Sequence, residues 1–214
     1  MTPPLELLAA LLVLTTLRTV AARRLEDYVG GFVLQSVVLA GVATATAVAT
    51  GAPDLYLLAA LTLAVKAYLI PQILRRVAEE LPAERGVRSV VGHTASIVLA
   101  LALVVLAFLS SPRIGVAGTS RQEPQVAVAV GMVLIGLLLL STRRHAVAQL
   151  VGLLTLENGM FAGALAVAPG MPFIVEFGVL LDVLVAVAVI GLLVTLIQRE
   201  LASIDTTELR RLRG

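Results

Sequence analysis

Residues 124–142, PQVAVAVGMVLIGLLLLST, run without a single charged side chain. At about 1.5 Å of rise per residue such a stretch makes a helix roughly 28 Å long, close to the hydrocarbon thickness of a bilayer, about 30 Å. Its apolar residues are continuous rather than alternating, so it does not read as a strand of a membrane barrel. Two arginines and a histidine follow directly, RRH at 143–145, and then a second apolar run begins. This is the pattern of one membrane helix turning back into another.

Extended outward, the same reading divides the chain into seven spans. They cover 5–22, 28–50, 54–77, 87–110, 124–142, 146–168 and 172–198, separated by short charged or Pro/Gly-containing turns. The expected fold class is therefore all-α, a polytopic transmembrane helix bundle. Thirteen of the 16 Lys and Arg residues fall in loops one, three and five, beside them, or in the tail. Only Arg113 and Arg121 lie on the opposite face, and Lys66 lies within a span. Cytoplasmic loops retain positive charge, which predicts the N-terminus outside and the C-terminus cytoplasmic, in an inner or plasma membrane. The start, MTPPLELL, is acidic rather than basic before its apolar run, so it reads as a retained span and not as a signal peptide. The long fourth loop, SPRIGVAGTSRQEP at 111–124, suggests a four-span half at 1–115 and a three-span half at 116–200. A basic tail follows at 201–214, where Asp205 and Glu208 could begin a short interfacial helix or lie in a frayed end.

Composition agrees and excludes much else. Hydrophobic residues make up 59% of the 214, charged residues 14%, and the mean hydropathy is +1.01, outside the range of soluble domains. Without cysteine there can be no disulfide, thiolate metal site or iron–sulfur ligation in this chain. Two histidines, His93 and His145, are too few for a metal site without several carboxylates. The arginines cluster beside apolar runs, as membrane topology requires, and do not suggest nucleic acid.

Three ionisable residues stand near span centres: Lys66, Glu157 and Asp182. Each falls about 15 to 18 Å from its helix start, so they can share one level. On insertion scales a charge at helix centre costs about 2.5 to 3.5 kcal/mol, an outlay that a use must offset. Burial disfavours the charged form of acids and amines alike, while pairing favours it; groups so balanced are suited to passing protons. Around them, Asn158 follows Glu157, Glu176 lies nearer the outer end of the last span, Thr62 is one turn from Lys66, and His93 sits near the cytoplasmic end of the fourth span. Pro71 deprives the Ala67 carbonyl of its helical partner, leaving a polar break beside the lysine. On the sixth span Ala148, Gly152, Gly159, Gly163 and Ala166 share a face suited to close helix approach, with Glu157 turned toward a different neighbour. Buried ion pairs can also serve only to fix helix register, and His93 also reads as a plain interfacial residue.

Four stretches carry a resemblance to known proteins: GLLLLSTRRHAVAQLVGLLTLENG at 136–159, VEFGVLLDVLVAVAVIGLLV at 175–194, IDTTELRRLRG at 204–214 and AVKAYLIP at 64–71. The whole chain resembles the hydrogenase-4 component E family, membrane subunits of energy-converting nickel–iron hydrogenase and formate hydrogenlyase complexes. From about Ala127 onward it is also similar to the three-helix K subunit of respiratory complex I. That resemblance implies that Asp182 occupies the position of the second membrane glutamate of the K subunit. It places the first at Leu154, three residues before Glu157. It further implies a subunit that binds no cofactor and is no enzyme by itself. Such a subunit sits between antiporter-like membrane subunits and the membrane anchor of the hydrogenase arm, with lipid around it and the [NiFe] centre and iron–sulfur clusters in partner subunits. The expected role is proton or sodium translocation coupled to a partner's redox chemistry. The alternatives are an assembly scaffold whose buried charges only specify packing, or a self-contained transporter, for which no inverted repeat is evident.

Overall fold

The computed structural model describes residues 3–80, 89–111 and 123–167, together with Gly191. The expected seventh span and the tail lie outside the described residues, and with them Glu176, Asp182, Asp205 and Glu208. Among the described residues the structure is helical throughout. In order come α1 (Pro3–Val20), α2 (Leu25–Thr50), α3 (Asp54–Leu61), a π-helical segment (Thr62–Leu69), α4 (Ile70–Glu80), α5 (His93–Ser110), α6 (Glu123–Thr142) and α7 (Ala146–Val167). The first six expected segments thus coincide with helices, the third being α3, the π segment and α4 in one continuous run. Five described helices are long and apolar enough to cross a membrane: Leu25–Thr50, Asp54–Arg76, His93–Ser110, Pro124–Thr142 and Ala146–Val167.

Local chemistry moves two of the expected boundaries. α2 begins at Leu25 rather than Tyr28, because Glu26 and Asp27 suit a first turn, where the helix dipole favours negative charge. It stops at Gly51, whose φ of 69° is left-handed and whose N–H donates to the Ala47 carbonyl at 2.8 Å. The fourth segment does not reach back to Val87 as a helix. Residues 89–92 are non-helical, Ser89 pairs as an isolated bridge with Arg143, and Gly92 at φ 82° turns the chain into α5.

The third segment departs from α geometry altogether over Thr62–Leu69, where Ile70 N–H reaches back five residues to the Val65 carbonyl. Pro71 explains why the wide pattern ends there. It has no N–H to give the Lys66 carbonyl in a π pattern, or the Ala67 carbonyl in an α pattern. The sequence indicated a break at this point but not its kind.

α6 and α7 form the closest pair. A Cβ on Gly136 would lie 2.5 Å from the Leu156 nitrogen, one on Gly152 2.7 Å from the Leu140 nitrogen, and one on Gly159 2.8 Å from both Met132 Cβ and the Val133 nitrogen. In lipid, where no hydrophobic gain drives helices together, such backbone approach supplies the dispersion contact that holds them. The small-residue face of α7 therefore packs on α6 and leaves Glu157 for another neighbour.

The interior separates into two apolar clusters. One gathers Val20, Tyr28, Phe32, Ile70, Leu74, Leu139 and Val151 with their neighbours; the other gathers Leu12, Leu39, Leu55, Leu58, Met132, Phe161 and Leu165 with theirs. At the outer margin of the first, Arg143 is buried rather than free in its loop. Its Nη2 donates to the Val20 carbonyl at 2.9 Å and its guanidinium lies 5.7 Å from the centre of the Tyr28 ring. Burial pushes this guanidinium below its ordinary pKa, with Tyr28 opposing the shift.

Candidate functional site in the mid-bundle polar layer

Between the two apolar clusters lies a polar layer. Along α1, Thr16 falls between Leu12 and Val20; along α2, Gln35 falls between Phe32 and Leu39. On the third run Lys66 falls between Leu58 and Ile70, and on α7 Glu157 and Asn158 fall between Leu154 and Phe161. In every case the flanking residues belong to opposite clusters. All five polar residues are buried, with Thr16, Gln35 and Asn158 at 0% exposure, Lys66 at 3% and Glu157 at 4%. Sequence spacing put Lys66 and Glu157 at one depth, and the packing brings them together.

Lys66 Nζ donates to Glu157 Oε1 at 2.9 Å and to Asn158 Oδ1 at 3.2 Å, and it lies 5.7 Å from the centre of the Phe161 ring. From Asn158 the bonding continues across the bundle. Asn158 Nδ2 donates to Gln35 Oε1 at 2.9 Å, Gln35 Nε2 to Thr16 Oγ1 at 2.7 Å, and Thr16 Oγ1 to the Leu12 carbonyl at 2.7 Å. An ammonium can only donate and a carbonyl can only accept. With those two groups at its ends, every bond in the chain has one possible direction. Each amide spends one donor and its oxygen on the chain, so the Lys66 position is tied through side chains to α7, α2 and α1.

This arrangement offsets the burial of charge in two ways. The opposite charges meet directly, and an uncharged acceptor takes a second ammonium proton, as a buried pair needs if attraction is to repay desolvation. The π segment contributes by presenting Lys66 from a widened turn, a departure common at functional positions.

The other sequence candidates are placed as follows. Asn158 joins the site as the acceptor of Lys66. Thr62, though buried, donates back to the Leu58 carbonyl of its own helix at 2.8 Å. His93 heads α5, half-buried, at the end of the bundle where Ser89 meets Arg143, away from the layer. Asp182 and Glu176 lie outside the described residues. Sequence reading passed over Gln35 and Thr16. The signal available was the amide in FVLQSVVLA at 32–40, a group that cannot face lipid without a partner. Two further hydroxyls, Ser36 Oγ and Thr155 Oγ1, are buried on α2 and α7 without a hydrogen-bond partner among the described residues. Among the described residues no three His, Asp or Glu side chains gather as metal ligands.

No known family profile matches the chain, and no solved structure is significantly similar to it. Individual proteins are. An uncharacterized Mycobacterium tuberculosis protein, Rv0085, is 37% identical over 158 residues, covering 71% of this chain and 69% of the relative. Hydrogenase-4 component E of Escherichia coli K12 is 29% identical over 208 residues, 97% of this chain and 96% of the relative, and the Shigella flexneri protein of that name matches equally. These matches, one of which runs through nearly the whole helical chain and its polar layer, establish that the chain belongs to the hydrogenase-4 component E family.

Proposed function

We propose that this chain is an integral membrane subunit of an energy-converting hydrogenase or complex I-like assembly, and that it handles protons or sodium ions on behalf of redox chemistry carried out in partner subunits. The observation that carries the reading is the Lys66–Glu157 ion pair, 2.9 Å long and buried in a polar layer between two apolar clusters. Ionisable side chains at this depth of a membrane bundle are costly and commonly mark ion pathways. The relationship to hydrogenase-4 component E supports the parent assembly.

In the full reading the chain has seven spans, with its N-terminus outside and its C-terminus in the cytoplasm of a bacterial-type inner membrane, in a four-span half and a three-span half similar to complex I subunit K. Asp182 joins Glu157 and Lys66 as the third proton-handling group, with Glu176 and Asn158 accessory. A Lys66 able to pair alternately with Glu157 and with a second acid would shift which acid holds a proton. Antiporter-like subunits and the hydrogenase anchor flank this subunit, and the [NiFe] centre and iron–sulfur clusters belong to partners. A scaffold reading has one observation in its favour, the bonding that ties Lys66 to three other helices.

The test is redox-driven ion uptake by the assembly purified through this subunit and reconstituted in liposomes, with proton and sodium uptake measured separately. Lys66→Ala, Glu157→Gln and Asp182→Asn are expected to abolish or sharply reduce ions moved per turnover while partner redox activity with artificial carriers persists. Unchanged ions per turnover in assembled variants would overturn the proposal; weakened assembly with normal coupling would favour the scaffold.

A further inference from the structure

We propose that the Asn158–Gln35 amide pair is a proton insulator, anchoring Lys66 beside Glu157 while breaking proton conduction from that ion pair into the N-terminal spans. The inference rests on the reading of the ion pair as proton-handling.

The geometry invites a leak. Unbroken hydrogen bonds of 2.7 to 3.2 Å lead from Lys66 through Asn158, Gln35 and Thr16 to the Leu12 carbonyl. Leu12 also lines a cavity of about 20 Å³ bounded by residues of α1, α2, α6 and α7, with the polar groups of Thr46 and Gln125 in its wall. That space is large enough for one water. A continuous path of hydrogen bonds thus runs from the ion pair to the backbone of Leu12, a residue that also lines a hydratable space beyond the polar layer.

Its chemistry prevents the path from conducting. In a proton wire each group must accept a proton on one side and release one on the other, then recover its starting state. A hydroxyl or a water does so through a single oxygen. A carboxyl group does so through two equivalent oxygens. A primary amide must accept on its weakly basic oxygen and release from nitrogen, which leaves an imidic acid tautomer that has to be reversed before the next transfer. Two amides in series impose that obstacle twice, and none of the groups between Lys66 and the Leu12 carbonyl is an acid or an amine.

The choice of side chain follows from doing both tasks at once. Apolar residues at 35 and 158 would also block protons but would leave Lys66 without its second acceptor. Carboxylates would hold the lysine but would conduct. Amides hold the ammonium, carry the constraint to α1 and pass no proton.

The experiment uses the complete assembly in liposomes, with an imposed pH gradient, no electron donor, and an entrapped pH-sensitive dye reading passive proton entry. The double variant Asn158→Asp with Gln35→Glu, which removes both amides from the path, is expected to raise the passive rate several-fold, and Gln35→Met to leave it at the wild-type level. An unchanged rate in the assembled double variant overturns the proposal, and so does an equal rise in Gln35→Met, which would report loosened packing. If the double variant does not assemble, replacing both amides by hydroxyls, Asn158→Ser with Gln35→Ser, also removes both obstacles and is judged by the same outcomes. Because no turnover occurs, the two ideas fail separately. Failure of the insulator idea appears as an unchanged passive rate with redox-driven transport still sensitive to Lys66→Ala, whereas failure of the functional reading appears as transport indifferent to Lys66→Ala.

Discussion

Lys66 and Glu157 stand 91 residues apart in the chain and 2.9 Å apart in the bundle, each almost wholly withdrawn from solvent. Removing one member of such a pair takes from the other the opposite charge that faces it in the buried layer. Lys66→Met and Glu157→Gln are each expected to destabilise the protein by about 3–5 kcal/mol. The double variant should cost less than the two single losses together, with a coupling of about 1–3 kcal/mol. Thermal denaturation of the detergent-solubilised wild type, both singles and the double reads this directly. Strictly additive losses would mean that the pair contributes no coupling.

The π segment supplies a second prediction. Pro71→Ala returns an N–H to a position that now donates in neither helical pattern, and should let α geometry spread back toward Lys66. The lysine then leaves the widened turn that presents it to α7. In the Pro71→Ala background the Lys66–Glu157 coupling should fall toward zero, even though neither partner has changed.

The glycines divide by what surrounds them. Gly159→Ala brings a methyl to 2.8 Å of the Val133 backbone nitrogen, which cannot swing aside, so α6 and α7 must separate and the melting temperature should drop. Gly30→Ala meets nothing within 4 Å and removes an unfavourable helix residue. It is expected to stabilise α2 by roughly 0.5–1 kcal/mol. Opposite shifts from one chemical change would separate close packing from helix propensity.

The topology can be read on a natural cysteine-free background, since the sequence contains none. A single cysteine at Thr119 should react with a membrane-impermeant maleimide added outside intact cells, and one at Ser203 only after permeabilisation. The reverse labelling would invert the orientation that the arginine distribution predicts.

The helical class and the first six segments were legible because long uncharged runs leave few alternatives, and Lys66, Glu157 and Asn158 were legible because a polar group in such a run is conspicuous. The α6-facing surface of α7 was legible because glycines at helical spacing say where a backbone can approach. Other features required the packing. Gln35 and Thr16 look unremarkable on their own helices and matter only through what lies across from them. Thr62 stood one turn from the lysine, yet its hydroxyl satisfied its own backbone instead. Arg143 counted as one loop charge among many until the fold placed the Val20 carbonyl and the Tyr28 ring around it.

The long sequence separations in the polar layer also bear on how the protein is made. Synthesis proceeds from the N-terminus, so Gln35 and Lys66 reach the membrane well before Asn158 and Glu157, 123 and 91 residues later. During that interval the early helices carry an amide and an amine whose α7 partners do not yet exist. α7 therefore completes the layer: with it come Glu157 and Asn158 for Lys66, and the amide of Asn158 for Gln35. A nascent chain halted before α7 should remain a substrate for membrane quality control, and one extended just past Asn158 should escape it.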